Sequence, residues 1–148
     1  MMEQKKKQLK SASILVLIFA GLSLVKTIVE LILTDLNGAT IPEGLPENIL
    51  LITKIVFAVI SVLLLIPNVY IGVKGLKLAS NPDSSAKAHI IWGIILLVLT
   101  VLSLVSPITD IVQKQNVSAN ISILLGGLLD AIVLFDYVKC AKALAKEN

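Results

Sequence analysis

Four long apolar segments separated by short polar ones organise this chain: residues 11–34, 49–73, 88–108 and 117–138. None alternates strictly between apolar and polar positions, and the small and polar residues inside them recur at intervals of three and four. Each segment is long enough for a helix to cross ~30 Å of hydrocarbon at ~1.5 Å per residue. Lipid leaves an unpaired backbone no hydrogen-bond partner, so only helices and closed barrels span it. Without period-two alternation the barrel is excluded. The pattern predicts an all-α fold: a single membrane domain built as a four-helix transmembrane bundle, with tails at 1–10 and 139–148. The first segment runs on beyond the length of a signal-peptide core and lacks a small-x-small cleavage pattern, so it reads as a retained span.

Composition supports lipid as the solvent for most of the chain. Of 148 residues, 56% are apolar and 16% charged, against roughly a quarter charged in soluble domains, and the mean hydropathy is +0.92. All 13 basic residues are Lys. Ten of them fall in the first tail (Lys5, Lys6, Lys7, Lys10), the middle connection and its borders (Lys74, Lys77, Lys87) and the last tail (Lys139, Lys142, Lys146). The first loop, 35–48, has none and carries Asp35, Glu43 and Glu47; the third has only Lys114. Basic residues accumulate on cytoplasmic loops, which predicts both tails inside. Tyr70, Trp92 and Tyr137 fall at the inner ends of spans 2, 3 and 4 and read as interface anchors, because amphipathic rings favour the headgroup level. The net charge of +3 and pI near 9.0 therefore point to the lipid bilayer, with anionic lipids at the cytoplasmic Lys clusters, and not to nucleic acid. Lys without Arg, beside abundant Ile, Leu and Asn, suits an AT-rich genome and a bacterial plasma membrane.

Turn signals divide the spans. Asn37-Gly38, Pro42 and Pro46 mark the first loop; Asn81-Pro82 opens a turn after which Asp83 or a serine can cap the next helix. Residues 72–79, with Lys74 and Lys77, are expected to continue helix 2 into the headgroups. Pro67 and Asn68 predict a kink in that helix, and Pro107 an ending of span 3. Thr34-Asp35 ends span 1 as Thr109-Asp110 ends span 3, and Lys pairs follow spans 2 and 4, so the halves read as a two-hairpin internal repeat.

Charges inside the spans are the candidate site, since each costs at least ~2.5 kcal/mol near mid-bilayer. Lys26 and Glu30 are four apart and share a face of helix 1. Counted at helical rise, Glu30 lies ~7 Å, Lys54 ~10 Å, Lys26 ~13 Å and Asp130 ~18 Å below the outer boundary. These depths permit Glu30 to pair with Lys54, and Lys26 with Glu30 or Asp130. A small, polar stripe on helix 1 (Ala20, Ser23, Thr27, Glu30, Thr34) and another on helix 4 (Ser118, Ser122, Gly126, Asp130) predict that these two helices pack closely, because small residues let backbones approach in lipid. The cluster has two readings: interhelical ion pairs that fix the packing, or a water-accessible site with Glu30 or Asp130 as the titrating group.

No motif adds chemistry to this cluster. His89 is the sole histidine and Cys140 the sole cysteine, too few for a metal site or a disulfide. No glycine-rich phosphate loop occurs, and no Ser/His/Asp set shares one depth. The sequence therefore predicts no cofactor and no enzyme. It predicts a small integral membrane protein acting through helix–helix contacts, an accessory, scaffold or immunity-type subunit partnered by another membrane protein or by copies of itself. The alternative is a small oligomeric transporter or channel for an ion, proton or small solute.

Overall fold

The computed structural model describes residues 1–36, 47–81 and 87–146. Five helices follow one another: α1 (Met2–Leu36), α2 (Glu47–Ser80), α3 (Ala88–Ser103), α4 (Val105–Val112) and α5 (Val117–Lys146). No strand occurs among the described residues. Helices α3 and α4 form one span, Ala88–Val112, interrupted only at Leu104. Four spans result, as the apolar pattern predicts. The helices outrun the predicted spans: both stretches read as tails are helical almost throughout, and α2 continues to Ser80.

The helices alternate in direction, and the ring of neighbours is α1, α2, α3, α5 and back to α1. One end therefore gathers the start of α1, the end of α2, the start of α3 and the end of α5. It is the lysine-rich end, and the buried core lies there: Leu9, Val16, Ile71, Leu78, Leu134, Tyr137 and Leu144 are all nearly inaccessible. Toward the far end exposed aliphatics dominate every helix, for example Leu22 at 59%, Leu63 at 56% and Leu102 at 60%. A surface so apolar on all sides fits hydrocarbon and not water.

The packed faces follow a period of seven. On α2 the covered or half-covered positions Lys54, Ala58, Ser61, Leu65, Asn68, Gly72, Gly75 and Ala79 are spaced alternately four and three apart. On α1, Leu9, Ser13, Val16 and Ala20 keep the same rhythm, with Thr27 one heptad further. That repeat holds one seam against a neighbour crossing at a shallow left-handed angle. Gly72 and Gly75 let α1 come close: a Cβ at Gly72 would stand 2.6 Å from Leu17 Cγ, and one at Gly75 would overlap Ser13 Oγ.

The break at Leu104 has a cause three residues on. Pro107 has no N–H to give the Ser103 carbonyl, and its ring crowds that oxygen. The helix tightens there, with Leu104 N–H bonding to the Val101 carbonyl (3.2 Å) and Ser103 Oγ to the Thr100 carbonyl (2.7 Å). Pro107 does not end the span, since α4 continues to Val112. The α4–α5 turn then closes with Lys114 (φ 59°) and Asn116 (φ 41°) in left-handed conformation. Gln115 N–H reaches back to the Asp110 carbonyl (2.9 Å) and Lys114 N–H to that of Ile111 (3.0 Å), the paired bonds of a Schellman helix end. Buried Asn120 donates to the Gln115 carbonyl (3.0 Å) and pins the turn to α5. The turn signals at Asn37-Gly38, Pro42, Pro46 and 82–85 lie outside the described residues.

Candidate functional site: an intramembrane polar cavity

In the far half, α1 and the α3–α4 junction part over one face of α5 and leave a cavity of about 600 Å³. Ser23 and Lys26 of α1, Ser103 of α3, and Ser122, Gly126 and Asp130 of α5 supply its polar and small lining; Phe19, Leu22 and Leu129 add apolar wall. Asp130 is half-buried, and Thr100 Oγ1 donates to its Oδ2 at 3.5 Å, a long bond joining α3 to α5. Chemically the cavity offers one cationic amine, one carboxyl group and three hydroxyls within apolar walls.

Two of the four charges singled out in the sequence, Lys26 and Asp130, thus meet on the walls of one cavity. Lys54 is half-buried on the α2 face described above. The side chain of Glu30 lies outside the described residues, and so do its expected pairings. The α1–α5 neighbourhood is as expected, but the stripe inferred to mediate it does something else. Ser122, Gly126 and Asp130 line the cavity, and a Cβ at Gly126 would meet nothing within 4 Å. The face of α5 that packs is one position over: Gly127 lies against Leu104, and the seam continues through Leu134, Tyr137 and Ala141.

Pro67 lies inside α2, which continues as one helix from Glu47 to Ser80. Asn68 Nδ2 donates to the Leu64 carbonyl (3.3 Å), beside the Leu63 carbonyl that Pro67 leaves without its usual donor. The helix assignment is interrupted at Leu104 in the third span.

Of the three aromatic residues read as interface anchors, Trp92 is 43% exposed, and Tyr70 is half-buried with Lys74 Nζ 5.9 Å from its ring centroid. Tyr137 is corrected: it is wholly buried at the centre of the lysine-rich half. Its hydroxyl donates to the Ile71 carbonyl (2.8 Å) and lies 2.8 Å from His89 Nδ1. A phenol has a single proton, already given to Ile71, so His89 must donate from Nδ1–H to the Tyr137 oxygen. The rings meet edge to face, centroids 6.1 Å apart. Gly75 of α2 and Gly93 of α3 make room for the ring: a Cβ at Gly93 would stand 3.2 Å from it, and one at Gly75 would overlap it. Tyr137 therefore ties three helices together. Sequence reasoning missed the tie because a tyrosine near a span end suits a headgroup equally well. A lone histidine at matching depth on the neighbouring helix, with a glycine one turn on, was the available signal.

Four apolar helical spans, lipid-suited on all sides, define a multi-pass, all-α membrane protein. No family model, curated protein or solved structure matches the chain.

Proposed function

We propose that this chain is a non-enzymatic membrane protein acting through helix–helix contacts within the bilayer, as an accessory, scaffold or immunity-type subunit of a bacterial plasma membrane. In this reading the lysine-rich end faces the cytoplasm and its amines meet anionic headgroups. The observation that supports it is the open face of α5. Ser122 and Gly126 are small, sit between α1 and the α3–α4 junction, and have space before them, which is what a neighbouring helix requires where packing drives association. The partner is another membrane protein or a second copy of the chain. Ser122→Cys in a Cys140→Ser background, treated with a short bifunctional thiol reagent in native membranes, tests this. A discrete cross-linked species that Gly126→Leu abolishes supports the reading; a chain that stays uncross-linked at every reagent concentration removes it. Labelling Glu43→Cys with an impermeant thiol reagent tests orientation, with modification of intact cells expected.

A second reading rests on the cavity itself, because Lys26 and Asp130 on one wall-lined space of about 600 Å³ also suit an ion, proton or small solute. Reconstituted in liposomes, the chain would then carry flux that Asp130→Asn abolishes. Flux equal to that of empty vesicles rejects it.

A further inference from the structure

At the lysine-rich end a second groove, about 260 Å³, follows the seam between α1 and α5. Its lining changes character along its length. Lys7, Gln8 and Ser11 of α1 and Asp136 of α5 form a polar part; Leu15 and Val133 form an apolar part. The two helices run in opposite directions, so Leu15 lies ~6 Å beyond Ser11 and Val133 ~4.5 Å beyond Asp136, both toward the far end. Ser11 opens the first apolar segment and Asp136 nearly closes the fourth, so the polar part sits where headgroups meet hydrocarbon and the apolar part below it. Cys140 Sγ contacts Gln8 Oε1 at 3.7 Å, which holds the Gln8 amide across the seam and leaves its NH₂ donors for another acceptor.

The charge pattern selects the occupant. Lys7 and Asp136 place one cation and one anion on the lining of a single small groove, both on exposed side chains, with Lys5 and Lys139 acting on Cys140 at its edge. A headgroup with only negative charge would satisfy Lys7 and be repelled by Asp136. A zwitterionic headgroup with a primary ammonium satisfies both. We propose that the α1–α5 groove binds an aminophospholipid, its phosphate diester on Lys7 and the Ser11 hydroxyl, its ammonium on Asp136, and an acyl chain along Leu15 and Val133. This assignment rests on the lysine-rich end lying at headgroup level and is independent of any partner helix in the far half.

Native mass spectrometry of the full chain in mild detergent, with phosphatidylethanolamine and phosphatidylglycerol of identical acyl chains in competition, tests it. The ethanolamine lipid should be retained over the glycerol lipid by about fivefold, the size of one exposed charge pair. Asp136→Asn should bring the ratio near one, and Lys7→Gln should weaken retention of both lipids. The charge-exchanged double variant, Lys7→Asp with Asp136→Lys, should regain the ethanolamine preference. Both side chains are exposed, so melting temperatures should match the parent chain. Equal retention of the two lipids by the parent chain overturns the proposal, as does a preference that Asp136→Asn leaves unchanged.

Discussion

Both halves of the bundle carry glycines on their helices, and these reach opposite outcomes. At the lysine-rich end, glycines face large side chains: Gly72 meets Leu17, and Gly75 and Gly93 hold the Tyr137 ring between α2 and α3. At the far end Gly21 and Gly126 face open space, and the helices part around Lys26 and Asp130. In lipid, burying an aliphatic chain against another helix gains little over leaving it in hydrocarbon, so association depends on close contact and on polar groups shared between helices. Small residues permit that contact but do not create it. A knob must fill the space they leave, and a polar tie must hold it in register. Tyr137 does both, whereas Asp130 has one long bond to Thr100 and no large side chain beside Gly126.

This contrast breaks most visibly at Tyr137. Tyr137→Ala should destabilise the chain by about 3–5 kcal/mol in detergent denaturation, the range for emptying a buried aromatic site. Phe135→Ala, on the same helix but at a residue 55% exposed, should stay within about 0.5 kcal/mol of the parent chain. Equal losses at the two positions would mean that the Tyr137 core is no more tightly packed than the lipid-facing surface.

Matched glycine substitutions separate the two halves further. At Gly75 an added methyl overlaps Tyr137 and Ser13, and Gly75→Ala should cost about 1–3 kcal/mol by overpacking. At Gly126 the methyl meets nothing, and Gly126→Ala should gain up to ~1 kcal/mol from helix propensity alone. If Gly126→Ala also weakens a cross-link through Ser122→Cys, the partner helix occupies this face.

The polar tie is separable from the ring. Tyr137→Phe keeps the packing, leaves the Ile71 carbonyl with its backbone partner alone, and strands the Nδ1–H of buried His89; about 1–2 kcal/mol should be lost. Restoration of most of that loss by a second change, His89→Phe, would confirm that the stranded imidazole is the main cost.

The smallest effect concerns Ser13. Its Oγ is buried without a hydrogen-bond partner among the described residues, so Ser13→Ala should be neutral or stabilising by less than ~1 kcal/mol. A clear loss would reveal a partner, such as a bound water, between α1 and α2.

The helices follow from the order of residues alone. In lipid, segments of about twenty predominantly apolar residues leave the backbone no partner but itself, so four spans and their approximate ends follow from local composition. Depth is equally local, because rise per residue is fixed; Lys26 and Asp130 could be matched in level before their helices were known to be neighbours. Which way each helix faces was not legible. In a soluble protein the polar side of a helix marks the solvent, but in lipid the outside and the core are both apolar, and the pattern loses that contrast. Ser118, Ser122, Gly126 and Asp130 therefore looked like a packing stripe when the last three line a cavity, and Tyr137 looked like a headgroup anchor when it closes the core. These points depend on the shape a neighbouring helix presents: the ring that fits two glycines, the carbonyl that accepts a phenol, and the turn at Leu104 that Pro107 imposes from three residues away.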